Sequence, residues 1–152
     1  MVVYRVGRTK YANDLEGVGA RLFGGRWNNK SVACLYTSES RALAILEYTV
    51  NVGIDDIPRA LSIITIEIPD APIKMLTESD LPGDWKRSPA PSSTKEFGSK
   101  VLKQAAEPVI KIPSTVIPIE FNFLLNPLHF DSSKFRIIDI VDFIYDVRIK
   151  TM

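Results

Sequence analysis

Short runs of β-branched and apolar residues follow one another along most of this chain, and only two stretches interrupt them with helical periodicity. That ordering constrains the fold more than any other feature. Strands joined without intervening helices pair antiparallel, whereas a parallel doubly wound sheet needs a helix at each crossover. The runs are Val2–Val6, Ala33–Thr37, Leu61–Ile68, Val109–Ile112, Val116–Ile119, Phe135–Ile140 and Phe143–Val147. One helix is expected from about Glu39 to Val52, with Thr37, Ser38 and Ser40 as alternative caps and Gly53 as its stop. A second follows the capping-box pattern Ser93-Thr94-Lys95-Glu96, after which Phe97, Val101, Leu102 and Ala105 recur at helical spacing. Gly17, Gly19, Gly24 and Gly25 punctuate a long loop running to about Lys30, and the proline-rich stretch Pro69–Pro91 reads as irregular connection. The expected class is α+β. A chain of 152 residues is expected to form one domain with its own core.

Charge and composition then remove several functions. A formal net charge of +1 gives no basic footprint for nucleic acid and no polybasic membrane patch. No apolar run reaches the ~20 residues that span a bilayer, and the opening Met1–Val6 lacks the features of a secretory signal, so a cytoplasmic protein is expected. Cys34 is the single cysteine and lies in an apolar run, as a small core residue would. One cysteine and one histidine, His129, cannot build the common zinc sites, and no metal is expected. Asp139, Asp142 and Asp146 straddle strand residues and read as solvated positions. Phosphate loops of the P-loop type, the Gly-x-Gly-x-x-Gly fingerprint and the Gly-x-Ser-x-Gly elbow are all missing.

Three segments stand out from this background. Gly24-Gly25-Arg26-Trp27-Asn28 places paired glycines, which let backbone approach a ligand, beside a guanidinium fork suited to phosphate oxygens. Tyr36 ends a strand just before Ala42-Leu43-Ala44-Ile45-Leu46-Glu47, where Leu43, Leu46 and Val50 form the apolar stripe and Glu47 lies at its edge. Ser114 follows a β-type run, ahead of Phe121-Asn122-Phe123-Leu124-Leu125-Asn126-Pro127-Leu128-His129. Taken singly, each has an ordinary explanation: a tight turn, a solvated helix glutamate, a core tyrosine, a turn serine.

Taken in order, with Leu81-Pro82 and Trp85 between them, these motifs resemble the RES domain over nearly the whole chain. That family is named for an arginine, a glutamate and a serine, matching Arg26, Glu47 and Ser114. The resemblance implies a single RES domain over residues 1–152. Its fold would be like that of ADP-ribosyltransferases, with two small, mostly antiparallel sheets around an NAD cleft and flanking helices. It implies the toxin of a toxin–antitoxin pair, with NAD as substrate rather than cofactor and a helix-turn-helix antitoxin of the Xre type covering the site.

The implied reaction breaks the nicotinamide–ribose bond and passes ADP-ribose to water or phosphate. Nicotinamide is bound as a cation and departs neutral, so the general acid of ordinary glycosidases is not required. One carboxylate suffices to stabilise the ribose cation, a role that falls to Glu47. Arg26 would hold a phosphate or ribose oxygen, Tyr36 would pack on nicotinamide or its ribose, and Ser114 would orient the group. Gly25, Trp27, Asn28, Asn122 and Asn126 are further binding candidates. Two alternatives remain at this level: transfer of ADP-ribose to a protein, and a catalytically inactive regulatory module.

Overall fold

The computed structural model describes residues 1–151; the expected domain end at Met152 lies outside them. Seven strands form one sheet: β1 (Val2–Arg8), β2 (Leu35–Ser38), β3 (Leu61–Glu67), β4 (Ile73–Met75), β5 (Val109–Pro113), β6 (Phe121–Leu125) and β7 (Arg136–Phe143). Their order across the sheet is β4-β5-β6-β2-β1-β3-β7. Among the described residues, only the β4–β5 pair is parallel. The helices are α1 (Val18–Phe23), α2 (Arg41–Asn51) and α3 (Ser92–Gln104).

The α+β class stands, but the expected pair of small sheets does not: there is one sheet of seven strands. Its seam shows why two halves were plausible. β2 pairs with β6 along Leu35–Ser38, and β1 pairs with β3 along Val2–Arg8, yet β1 and β2 meet only where Tyr4 faces Ser38. One register pair therefore joins a four-strand half to a three-strand half.

Side chains alternate across a sheet, so each face gathers its own core. On the first face Val3, Leu35, Ile64, Ile66, Phe123 and Leu125 pack together. On the second, Leu124, Ile110 and Ile112 pack with Trp27, Trp85 and Leu102. Trp27 sits 6.4 Å from Trp85 and 6.2 Å from Phe97, between ring centroids. Gly98 is what lets α3 lie so close, since a Cβ there would fall 2.0 Å from the carbonyl oxygen of Trp27.

Several elements differ from the sequence expectation for identifiable reasons. Residues 116–119 are not a strand: the Ser114 hydroxyl accepts from the N–H groups of Val116 and Ile117, turning the backbone, and Ile119 takes φ 66°. The strand lies instead at Phe121–Leu125, buried between β2 and β5, where Asn122 breaks the apolar pattern. β7 ends at Phe143, because Tyr145 turns inward and Asp146 caps a short 3-10 turn by accepting from Arg148 N. The Gly-rich loop contains α1, and the proline-rich connection contains β4. α3 begins at Ser92 rather than with the expected capping box; Ser93 lies inside the helix and donates to Asp84 Oδ1 at 2.6 Å.

Candidate active site

α2 starts at Ser40, whose Oγ accepts from Leu43 N at 3.1 Å, so Ser40 is the cap among the three alternatives. The helix buries Leu43, Ala44 and Thr49, while Val50 is 56% exposed. The expected Leu43–Leu46–Val50 stripe is thus rotated: Leu43 and Ala44 are buried, and Val50, with Ala44, lines a cleft of about 990 Å³. Glu47 falls at the boundary, half-buried, with its carboxylate turned into that cleft.

The carboxylate is held from the sheet. Ser114 Oγ donates to Glu47 Oε1 at 2.6 Å, and Asn122 Nδ2 donates to the same oxygen at 2.7 Å. Asn122 is fixed in turn by Ser38, opposite it in register, whose hydroxyl donates to Asn122 Oδ1 at 2.7 Å. Ser114 Oγ, having given its proton to Glu47, accepts from the backbone of Val116 and Ile117 at 3.0 and 3.2 Å. Each such bond to an ionised carboxylate is stronger than a neutral one, worth roughly 1.5–3 kcal/mol. Both act on one oxygen. Among the described residues none donates to Oε2, so the anchored carboxylate presents a second oxygen to the cleft.

Arg26 faces the same cleft. Its Nη1 donates to the carbonyls of Trp85 at 3.0 Å and Arg87 at 2.7 Å, pinning the segment that forms the opposite wall. Those two bonds use both Nη1 hydrogens and leave the Nε and Nη2 donors, a bidentate edge, without a partner among the described residues. Burial lowers the Arg26 pKa, and the Glu47 charge offsets only part of that fall. An arginine stays protonated at neutral pH regardless.

Other expected site residues sit around or behind this pair. Tyr36 lines the cleft, but its hydroxyl donates to Asn28 Oδ1 at 2.6 Å and accepts from Trp27 N at 2.9 Å. Burial, the largest influence, drives its pKa well up, so the phenol stays neutral. Gly25 is required there, since a Cβ would fall 2.6 Å from the Tyr36 oxygen. Asn28 is fully buried and donates to the carbonyls of Ala20 and Val32; it ties the loop together from behind rather than meeting a ligand. Trp27 lines the cleft, while its ring packs in the core. Asn126 is not at the cleft: fully buried, it donates to Leu102 O and accepts from Leu128 N. Its amide serves the chain's own backbone, as an orphaned buried polar group would be costly.

Sequence reasoning missed Ser38 as a site residue and underrated Asn122. The signal is a cross-strand register, invisible until β2 and β6 are paired. Tyr48 and Lys86 also line the cleft and were not singled out. His129 is structural, its Nδ1 accepting from Asp131 N at 3.0 Å. Cys34 is buried with its thiol pKa pushed up, hence unreactive. Among the described residues no group of three or more metal-binding side chains occurs, and no helix is long and apolar enough to cross a membrane.

Comparison with known proteins bears on this geometry. The RES domain family model matches residues 2–146. A protein of Sphingobium sp. (strain YBL2) named Prs ADP-ribosylating toxin is 36% identical over 144 residues, covering 93% of this chain and 89% of the relative. One named Toxin Res, from Photorhabdus laumondii subsp. laumondii, is 37% identical over 137 residues, covering 89% of this chain and 87% of the relative. In fold, a chain of the crystal structure of the M. tuberculosis MbcT–MbcA toxin–antitoxin complex matches with a TM-score of 0.72 at 18% identity. That match covers 94% of this chain and 84% of the other.

Proposed function

The chain belongs to the RES domain family, and from that premise we propose that it is the toxin of a toxin–antitoxin pair and breaks the nicotinamide–ribose bond of NAD. The observation that carries the proposal is the Glu47 carboxylate, with Oε1 anchored by Ser114 and Asn122 and Oε2 open to the cleft. Toxin names among the relatives support the biological role. The solved neighbour's complex with its antitoxin supports a protein partner, which the resemblance makes a helix-turn-helix protein of the Xre type. On this reading the fold is ADP-ribosyltransferase-like, and the protein acts in the cytoplasm, where the NAD pool and the antitoxin meet it.

The chemistry follows from charge. As the bond breaks, its electron pair leaves with nicotinamide and neutralises the pyridinium, while the ribose carbon becomes cationic. The Glu47 carboxylate, already oriented, stabilises that cation through Oε2 without reorganising, which is where fixed charges contribute most. The free edge of Arg26 takes a phosphate or ribose oxygen and sets the substrate's position. Tyr36 presents its ring, because its hydroxyl is occupied behind the loop. NAD is the substrate; no separate cofactor enters.

A second acceptor has specific support. The relative named as an ADP-ribosylating toxin favours transfer of ADP-ribose to a protein through the same cleft. Mass spectrometry of NAD incubated with purified protein, with and without phosphate, separates the outcomes. Free ADP-ribose or its phosphorylated product supports degradation, while label from NAD appearing on a lysate protein supports transfer. Intact NAD with neither product would leave the inactive regulatory module.

A further inference from the structure

We propose that Tyr145, with Lys150 behind it, is a latch that positions Glu47 by holding the last turns of α2. The inference rests on the catalytic reading of Glu47 and adds residues outside the cleft. α2 ends at Asn51, and Val52 beyond it is extended. Apart from the helix's own Asn51, what holds that end comes from the far edge of the sheet. After β7 the chain turns inward, and Tyr145 is 7% exposed, with its ring centroid 6.4 Å from that of Tyr48 and 6.2 Å from that of Phe143.

The hydrogen bonding has a definite direction. Thr49 Oγ1 donates its one proton to the carbonyl of Ile45 at 2.8 Å, so at the 2.6 Å contact between the hydroxyls of Thr49 and Tyr145 the tyrosine is the donor. From Tyr145 the relay passes through a side chain two residues after Glu47 and ends on a carbonyl two residues before it. Lys150 Nζ donates to the carbonyl of Thr49, one of the orphan acceptors of the helix end. Asn51 Nδ2 takes the carbonyl of Glu47 itself at 2.8 Å. The turn carrying the carboxylate is therefore gripped from behind, while Ser114 and Asn122 grip the carboxylate from in front. The RES match ends at residue 146, so Lys150 lies beyond it.

Small displacements of a reacting group are expensive, with about 1 Å costing on the order of 10²-fold. Tyr145→Phe keeps the ring and removes only the donor. It is expected to lower kcat about tenfold with KM within about twofold, at a melting temperature close to the parent's. Thr49→Val should do the same, Thr49→Ser should retain parental kcat, and the Thr49→Val/Tyr145→Phe pair should be no worse than either alone. A parental kcat in Tyr145→Phe, equal losses in Thr49→Ser and Thr49→Val, or a loss matched by lost folded protein would overturn the latch. Amide exchange gives a readout without substrate. Faster exchange in Tyr145→Phe confined to the last two turns of α2 supports the latch, and a uniform or absent change refutes it. If the parent protein leaves NAD intact, the reading of Glu47 fails, while the exchange result still decides whether Tyr145 holds the helix.

Discussion

The two walls of the cleft are held in opposite ways. On one side Glu47 is fixed redundantly: Ser114 and Asn122 both donate to Oε1, and Ser38 fixes Asn122 across the β2–β6 register. On the other, residues 85–87 are largely exposed apart from the Trp85 ring, and one guanidinium group, Nη1 of Arg26, ties their carbonyls down. The carboxylate is placed by the sheet, whereas the facing wall has the Trp85 ring and local turn bonds beneath it and Arg26 as the one side chain that holds its carbonyls from across the cleft. Loss of an anchor should therefore be tolerated better on the Glu47 side than on the Arg26 side, although loss of the carboxylate charge itself should cost most.

Glu47→Gln is the largest expected effect. The amide oxygen still accepts from Ser114 and Asn122 but carries no charge, so NAD consumption should fall on the order of 10²–10³-fold in a folded protein. Equal consumption by parent and variant would remove the carboxylate from the chemistry. Arg26→Lys comes next, at roughly tenfold to a hundredfold in kcat/KM, because an ammonium cannot hold two carbonyls and also offer a bidentate edge. Steady-state kinetics checks it, and parental constants would show that the wall does not depend on the fork.

Ser114→Ala should cost less, about tenfold in kcat, since one charge-assisted bond is lost while Asn122 remains. A larger loss than in Arg26→Lys would invert the comparison, making the serine rather than the arginine the weak point. The smallest effect concerns the C-terminal turn. Arg148, through its side chain and its N–H, draws the Asp146 carboxyl down to about 2. A lowered carboxylate pKa adds stability above the ordinary value of about 4, and that stability is lost as the pH falls through the lowered one. Between about pH 4 and pH 2 the parent should therefore lose slightly more melting temperature than Asp146→Asn does. The ion pair lies at the surface, where solvent screens it, so the difference is small, and parallel curves for the two proteins would show that the pair contributes nothing.

Legibility in the sequence followed the range of the interaction. Arg26, Glu47 and Ser114 are legible as candidates because motifs are local strings, and α2 because its cap and apolar residues lie within a few turns of one another. Asn126 shared a motif with Asn122 and was expected beside it, yet four residues along the chain carried it past the end of β6 into the core. The Val116–Ile119 run has strand-like residues, but one hydroxyl at Ser114 turns the backbone there. Propensity yields to such a specific local bond.

By itself the sequence determined the α+β class, the presence of α2, and which residue types could carry the chemistry, because periodicity, capping and motif spacing are properties of neighbouring residues; which of three caps opens α2 was settled by the structure. Only the tertiary structure decided that one sheet forms rather than two, that Ser38 stands opposite Asn122, and that Ser114, 67 residues from Glu47, reaches its carboxylate. Those outcomes depend on strand register. A slip of one residue sends every side chain to the other face, and no local pattern fixes the register between strands so far apart.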